Sequence, residues 1–238
     1  MVEIFILSLV QGITEFLPIS SSSHLILTSK YLNFDNQGLT VDVSLHIGSF
    51  LAVIFYFKKD LFKFIKTKDL LFKIIFASLP VMFVGFVLIN FNLIEYIRNI
   101  KVIGWMTIIF GILLYLIDKF KNNKNINNNF NYKSALFIGI LQIFSLIPGV
   151  SRSGITITAG RFLEFKRVEA VKISFLLSIP TLAAVSFYGI NGLLKSEDLQ
   201  FSLLSILSVI FSFLFSLITI KYFLKYIKKF NLNIFVFY

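Results

Sequence analysis

An all-α polytopic membrane protein is the fold this sequence predicts, and three observations carry it. Hydrophobic residues make up 57% of the 238 and charged residues only 15%, where a soluble domain carries roughly a quarter charged. Several apolar runs approach the ~20 residues that a helix needs to cross a bilayer. The polar interruptions between those runs recur at intervals too short to hold a soluble domain. A single membrane domain over 1–238 follows.

The opening residues, MVEIFILSLVQG, lack a basic region and a small-residue cleavage site, so they read as structure rather than as a removed signal. From 2 to 30 the chain is apolar but interrupted by Pro18 and by Ser20 to Ser23, which predicts a broken, re-entrant helix pair. Spanning helices are expected at 41–57, 74–91 and 102–118. A second apolar stretch, 134–160, is broken by Pro148, Gly149 and the run Ser151-Arg152-Ser153-Gly154, and reads as a second re-entrant pair. Spans at 173–190 and 199–220 follow. Non-helical backbone at membrane depth is tolerated only inside protein or beside a water-filled cavity, so both breaks are expected to line an interior site. Pro80 and Pro180 lie within otherwise continuous apolar helices and predict kinks. The Asn-rich stretch 122–131 has no apolar periodicity and reads as a flexible loop.

Lysine and arginine in the short loops set the orientation. Six lysines in 58–73, four in 119–133, the cluster Arg161, Lys166, Arg167 and Lys172, and Lys221 to Lys229 mark cytoplasmic segments. Loops 31–40, 92–101 and 191–198 then fall outside. The first broken pair dips from the outer face and the second from the cytoplasm. That is the layout of an inverted-topology repeat, about 1–91 and about 102–220, and QGITEFLPIS at 11–20 faintly echoes QIFSLIPGVS at 142–151. The net charge of +11 is spread over these segments rather than gathered on one basic face, so lipid headgroups are the expected partners and nucleic acid is not. With no cysteine, disulfides and thiolate chemistry are excluded, and any metal needs oxygen or imidazole ligands.

A charge in the hydrocarbon region costs roughly 2.5–3.5 kcal/mol on insertion scales, so each one asks for a function. Gln11 and Glu15 stand four apart, on one helix face, and suit a divalent cation, a proton relay or a structural polar pair. Ser20, Ser21, Ser22, Ser23 and His24 place four hydroxyls and an imidazole at a helix start, where freed N–H groups cradle anions. In Gly149-Val150-Ser151-Arg152-Ser153-Gly154 the glycines let backbone approach a ligand, and the guanidinium fork matches phosphate oxygens. An ion pair between Arg152 and Glu15 is compatible with that reading as the empty state of the same anion site. Asp42 and His46, also four apart, read as an interfacial acid and a histidine bonded to a neighbouring carbonyl, or as supporting residues of the site.

The segments QGITEFLPISSSSH and PGVSRSG, in this order and spacing, resemble the signatures of the undecaprenyl-diphosphate phosphatases, or bacitracin-resistance phosphatases, and the resemblance covers nearly the whole chain. It implies a hydrolase acting on a diphosphate anhydride in the bacterial cytoplasmic membrane, open to the outer face, which recycles the polyprenyl carrier of cell-wall synthesis. The implied cofactor is a divalent cation, Mg²⁺ or Ca²⁺, at Gln11 and Glu15. Glu15, Ser21, His24 and Arg152 fall on the catalytic positions and Ser20 on the first of the paired serines, while Ser22, Gly149, Ser151, Ser153 and Gly154, read above as parts of the anion cradles, complete the expected substrate-binding set with Ser20. The attacking group is left open among His24, Ser21 and water, as is a homodimer. Gln11 removes one carboxylate from the metal pair, and Ser22-Ser23 stand where Thr-Gly is usual. The family usually continues beyond the position of Tyr238 into a final spanning helix. A lipid or anion transporter of similar architecture is the rival reading.

Overall fold

A computed structural model describes residues 1–34, 39–91, 99–195 and 203–238. The described chain is helical: α1 Val2–Thr14, α2 Ser21–Leu32, α3 Leu39–Thr67, α4 Asp69–Asn90, α5 Ile100–Asp118, α6 Ile126–Asn129, α7 Tyr132–Gln142, α8 Arg152–Phe162, α9 Arg167–Lys195, α10 Leu203–Tyr226 and α11 Asn233–Val236. A 3₁₀ turn, Ile143–Leu146, extends α7. Among the described residues, five stretches are long and apolar enough to cross a membrane: Val41–Phe62, Asp69–Asn90, Ile100–Asp118, Arg167–Ile190 and Leu203–Tyr226. They match the five spans expected from the sequence. Pro80 and Pro180 lie inside continuous helices, α4 and α9. Of the three loops assigned to the outer face, residues 35–38, 92–98 and 196–198 lie outside the described residues.

Both apolar stretches break where the sequence says they should. After Thr14 the chain leaves the helix through Glu15, Phe16, Leu17 and Pro18, and Ser20 takes extended backbone (φ −78°, ψ 109°) before α2 begins. The second break passes Pro148 and Gly149 to Ser151, whose hydroxyl caps α8 by accepting from Gly154 N at 3.1 Å. Gly149 has φ +98°, a conformation that a residue with a Cβ rarely adopts. A Cβ there would also lie 2.5 Å from the carbonyl oxygen of Ile103 on α5, so glycine is required twice over.

Close helix contacts hold the breaks together. A methyl at Gly48 would sit 2.5 Å from Val209 O, so the α3 and α10 backbones touch there. Gly12 brings α1 equally close to Phe215 of α10. Beneath the first break lies a ring cluster in which Phe175 packs edge-on against Phe16 at 5.3 Å and Phe57 at 6.2 Å and tilts over Phe223 at 6.0 Å. Hydroxyls inside the bundle bond back one turn, as Thr14 does to Val10 O and Ser208 to Leu204 O, which removes their polarity from the apolar surroundings.

The Asn-rich stretch departs from the sequence expectation of a flexible loop. Ile126 and Phe130 are buried, Asn122 Nδ2 donates to Arg161 O at 2.6 Å, and Glu169 accepts from Ile126 N at 3.2 Å, capping α6. Two apolar anchors four residues apart are too few to show as periodicity, yet enough to pin a ten-residue strap. Arg161 departs too, because its charge does not reach headgroups. It is 3% exposed, and its Nε donates to Asp118 Oδ1 at 3.0 Å. Asp118 also accepts from Arg167 Nε at 2.8 Å and from Leu232 N at 3.1 Å, locking α5, α8, α9 and the carboxy-terminal segment to one carboxylate.

Candidate active site

The two breaks meet. Arg152, the first residue of α8, reaches across to the end of α1, where its NH2 donates to Glu15 Oε1 at 2.8 Å. The same guanidinium leans on Glu15 O at 3.5 Å and, through NH1, on Ser174 O at 3.4 Å. The other carboxylate oxygen, Oε2, accepts from Ser21 Oγ at 2.8 Å and from Gln11 Nε2 at 3.0 Å. Arg152, Glu15, Ser21 and Gln11 thus form one connected polar group. Glu15 and Gln11 are buried, while the Arg152 side chain keeps 14% of its surface open.

The serines on both sides have two kinds of work. Ser153 and Ser151 donate to Leu17 O, the latter at 3.5 Å, and lie 3.0 Å from each other, so they rivet the second break to the first. Ser23 donates to Ser20 Oγ at 2.9 Å, and Ser22 lies 3.3 Å from it, shaping the turn in front of α2. Ser20, His24, Gly149, Ser151 and Gly154 line a cavity of about 230 Å³ whose remaining wall is largely apolar and includes Thr107, Leu114 and Tyr238. Glu15 and Arg152 do not line that cavity. The predicted residues therefore fall into a charged group behind the two breaks and a cavity-lining group in front of them.

His24 belongs to the second set. Its ring stacks on Tyr238, with centroids 5.8 Å apart, and its Nδ1 lies 2.6 Å from Ser20 O. A carbonyl oxygen only accepts, so the Nδ1 contact requires a proton there and leaves the Nε2 lone pair free in the neutral ring. The imidazole beside the carboxylate is instead His46 of α3, whose Nδ1 stands 4.0 Å from Glu15 Oε2 and 3.1 Å from Gln11 Nε2. Sequence reasoning ranked His46 below His24 because a lone histidine on a spanning helix carries no motif. Its spacing from Asp42 gave no hint that α3 turns it toward α1. Ser49, one turn on, extends the network from Gln11 at 3.5 Å to Ser216 at 3.0 Å and Ser212 at 3.2 Å on α10.

The arrangement pairs a fixed guanidinium with a carboxylate that holds a hydroxyl, at two proline-bearing turns that meet through Arg152 and Glu15. It suits the capture and cleavage of an anionic group. The model of bacitracin resistance protein BacA matches residues 4–238. The chain belongs to the BacA family. Among the relatives it resembles are the undecaprenyl-diphosphatase of Pelagibacter ubique strain HTCC1062, 48% identical over 238 residues, and that of Aliivibrio salmonicida strain LFI1238, 40% identical over 250 residues. These alignments cover 100% and 99% of this chain and 93% of each relative. Full-length membership of the BacA family makes a chance likeness of two short motifs untenable as an explanation of the sequence pattern.

Proposed function

We propose that this BacA-family protein hydrolyses undecaprenyl diphosphate to undecaprenyl phosphate and inorganic phosphate in the bacterial cytoplasmic membrane, with its site open to the outer face. The observation that carries the reading is the contact of Arg152 with Glu15 at 2.8 Å, while Glu15 also holds the hydroxyl of Ser21. A carboxylate–guanidinium pair at a break in two membrane-embedded helices is expensive to build, and ionised groups at that depth mark functional sites. Relatives named for diphosphate hydrolysis support the phosphatase over the carrier that the architecture alone would equally suit.

In the resting protein Arg152 neutralises Glu15. A diphosphate oxygen competes for the same guanidinium, because phosphate oxygens match its fork. As Arg152 turns to the phosphate, Glu15 loses its ion-pair partner and becomes free to take the proton of Ser21, which it already holds by a hydrogen bond. The Ser21 oxygen attacks the terminal phosphorus, the anhydride bond breaks, and polyprenyl phosphate leaves with the bonding pair. Water then cleaves the phosphoseryl ester, returning the proton to Ser21 and releasing inorganic phosphate. Arg152 and the donors of the 149–154 turn stabilise the charge on the phosphoryl oxygens as it redistributes. His24 supports a second reading as the attacking group, because its Nδ1 proton is held by Ser20 O and its Nε2 is free on the cavity side.

The donor set fits a divalent cation of a particular kind. Among the described residues no three His, Cys, Asp or Glu side chains converge to cage one. Yet Gln11 Oε1 is buried without a hydrogen-bond partner, on the amide whose nitrogen bonds the Glu15 carboxylate. Mg²⁺ takes only one or two carboxylates from a protein when phosphates and water supply the rest, and here an amide oxygen stands in the place of the second. Gln11 and Glu15 would hold it, and when bound it offsets the negative charge of the diphosphate. Lipid packing is provided by the many outward phenylalanines, and the isoprenoid tail is assigned to the apolar surroundings of the cavity. Purified protein in detergent with farnesyl diphosphate and Mg²⁺ should release phosphate. Binding without release would overturn the reading in favour of a carrier. A trapped phosphoenzyme that survives acid but not alkali identifies Ser21, and the reverse lability identifies His24.

A further inference from the structure

Gln11 raises a problem that a carboxylate in its place would not. An amide has two unlike ends, and the site works only if the correct one faces each neighbour. Three acceptors crowd Nε2: Glu15 Oε2 at 3.0 Å, His46 Nδ1 at 3.1 Å and Ser49 Oγ at 3.5 Å. Oε1 is buried and has no hydrogen-bond partner. The carboxylate decides the orientation at rest, since a flipped amide would set oxygen against oxygen. During turnover, however, Glu15 exchanges its partners, and its hold on the amide changes with them. His46 does not take part in that exchange. With Gln11 donating to Nδ1, the neutral ring carries its proton on Nε2, and its Nδ1 can only accept.

We infer that His46 is a positioning residue that fixes the Gln11 amide with its nitrogen toward α3 and its oxygen toward the reacting diphosphate, so that Oε1 serves as a ligand for a divalent cation. The inference rests on the proposed phosphatase reading for the identity of the ligand. His46 is well placed for the task because α3 is held at this level. Ser212 Oγ donates to Leu45 O at 2.7 Å, and the Gly48 contact with Val209 leaves no room for the helix to slide. A bound cation also resolves an otherwise costly feature, a buried acceptor without a partner.

The test is a double-substitution cycle with two readouts. Glutamate at position 11 has two equivalent oxygens, so there is no end to choose and nothing for His46 to fix. The set is wild type, His46→Leu, His46→Asn and Gln11→Glu, with Gln11→Glu/His46→Leu closing the cycle. Each protein is purified in detergent and checked for monodispersity. Mn²⁺ binding is measured from the spectrum of the free ion in the presence of a methylene-bridged farnesyl diphosphate analogue, and phosphate release from farnesyl diphosphate is measured separately. Loss of a residue that orients a metal ligand typically weakens binding by about 10- to 100-fold. That loss is expected for His46→Leu in the Gln11 protein and is expected to vanish in the Gln11→Glu protein. Asparagine places its oxygen near the Nδ1 position, so His46→Asn should bind Mn²⁺ close to the wild-type level.

Equal losses in both backgrounds would mean that His46 only supports the fold, and would overturn the inference. So would undiminished Mn²⁺ binding by His46→Leu, or no Mn²⁺ binding by wild type. Should His46→Leu fail to stay monodisperse, His46→Met takes its place. If every replacement of His46 unfolds, including asparagine, the residue is structural and the inference fails. A wild type that binds Mn²⁺ with the expected cycle but releases no phosphate would sink the phosphatase reading and leave the role of His46 standing.

Discussion

Removing the Arg152 side chain separates what it does for the fold from what it does for chemistry. In the wild type its guanidinium makes a 2.8 Å contact with a carboxylate whose side chain is only 6% exposed. Arg152→Ala leaves Glu15 buried with an uncompensated charge, which costs about 3–5 kcal/mol where one member of a buried pair is deleted. For a chain of this size each kcal/mol shifts the unfolding midpoint by about 2–4 °C, so a drop of about 6–20 °C is expected. Glu15→Gln added to Arg152→Ala removes the orphaned charge and keeps the side-chain volume, and Ser21 and Gln11 still have an amide to bond. Most of the lost stability should return. Phosphate release should not return, because neither phosphate anchor nor base remains. Arg152→Lys is intermediate: it keeps the charge but not the fork that reaches Glu15 and Ser174 together. Losing one charge-assisted hydrogen bond to the transferring group costs about 1.5–3 kcal/mol, or about 10- to 150-fold in kcat/KM. Thermal unfolding in detergent and phosphate release from farnesyl diphosphate read the two axes. Equal stability of Arg152→Ala and the double variant would refute the buried ion pair, and near-wild-type turnover by Arg152→Ala would refute the site.

Other expected outcomes follow from the same geometry. Gly149→Ala must hold a Cβ at φ +98° and against Ile103 O, a strain of about 1–3 kcal/mol, and should lower kcat/KM because the turn it distorts carries Ser151 and Arg152. Asp118→Asn should lower the unfolding midpoint, measured by thermal unfolding in detergent, by removing the charge shared by Arg161 and Arg167. Chelation by EDTA should abolish phosphate release, and added Mg²⁺ should restore it, since one carboxylate and one amide oxygen hold a cation too weakly to survive a chelator. Ser21→Ala should reduce kcat far more than KM, measured with farnesyl diphosphate, because its hydroxyl meets the base rather than the bound tail.

Much of this protein was legible along the chain. Each of the five spans is a local property, a run of apolar residues longer than the bilayer is thick, and so needs no partner to be recognised. The two breaks were legible for the same reason: Pro18 and Pro148 lack an N–H, and Gly149 tolerates a positive φ, whatever surrounds them. Glu15 and Arg152 stood out because ionised groups in apolar runs demand an explanation, and opposite charges without local partners point toward each other. The strap over 122–131 was misread as loose because its hold on the molecule comes from Arg161, Glu169 and a few buried side chains far away in sequence.

What the sequence determined by itself, then, was the membrane character, the places where helices must stop and the residue types that gather there. Only the tertiary structure decided that the imidazole beside Glu15 is His46 and that His24 faces a separate cavity. It also decided that Ser151 and Ser153 spend their hydroxyls on Leu17. The physical reason is the difference in range between the two kinds of information. Burial and backbone conformation are fixed within a few residues, whereas which face of a helix meets which neighbour depends on packing between segments tens to hundreds of residues apart, here where Gly48 lets α3 touch α10 and turns His46 toward Gln11.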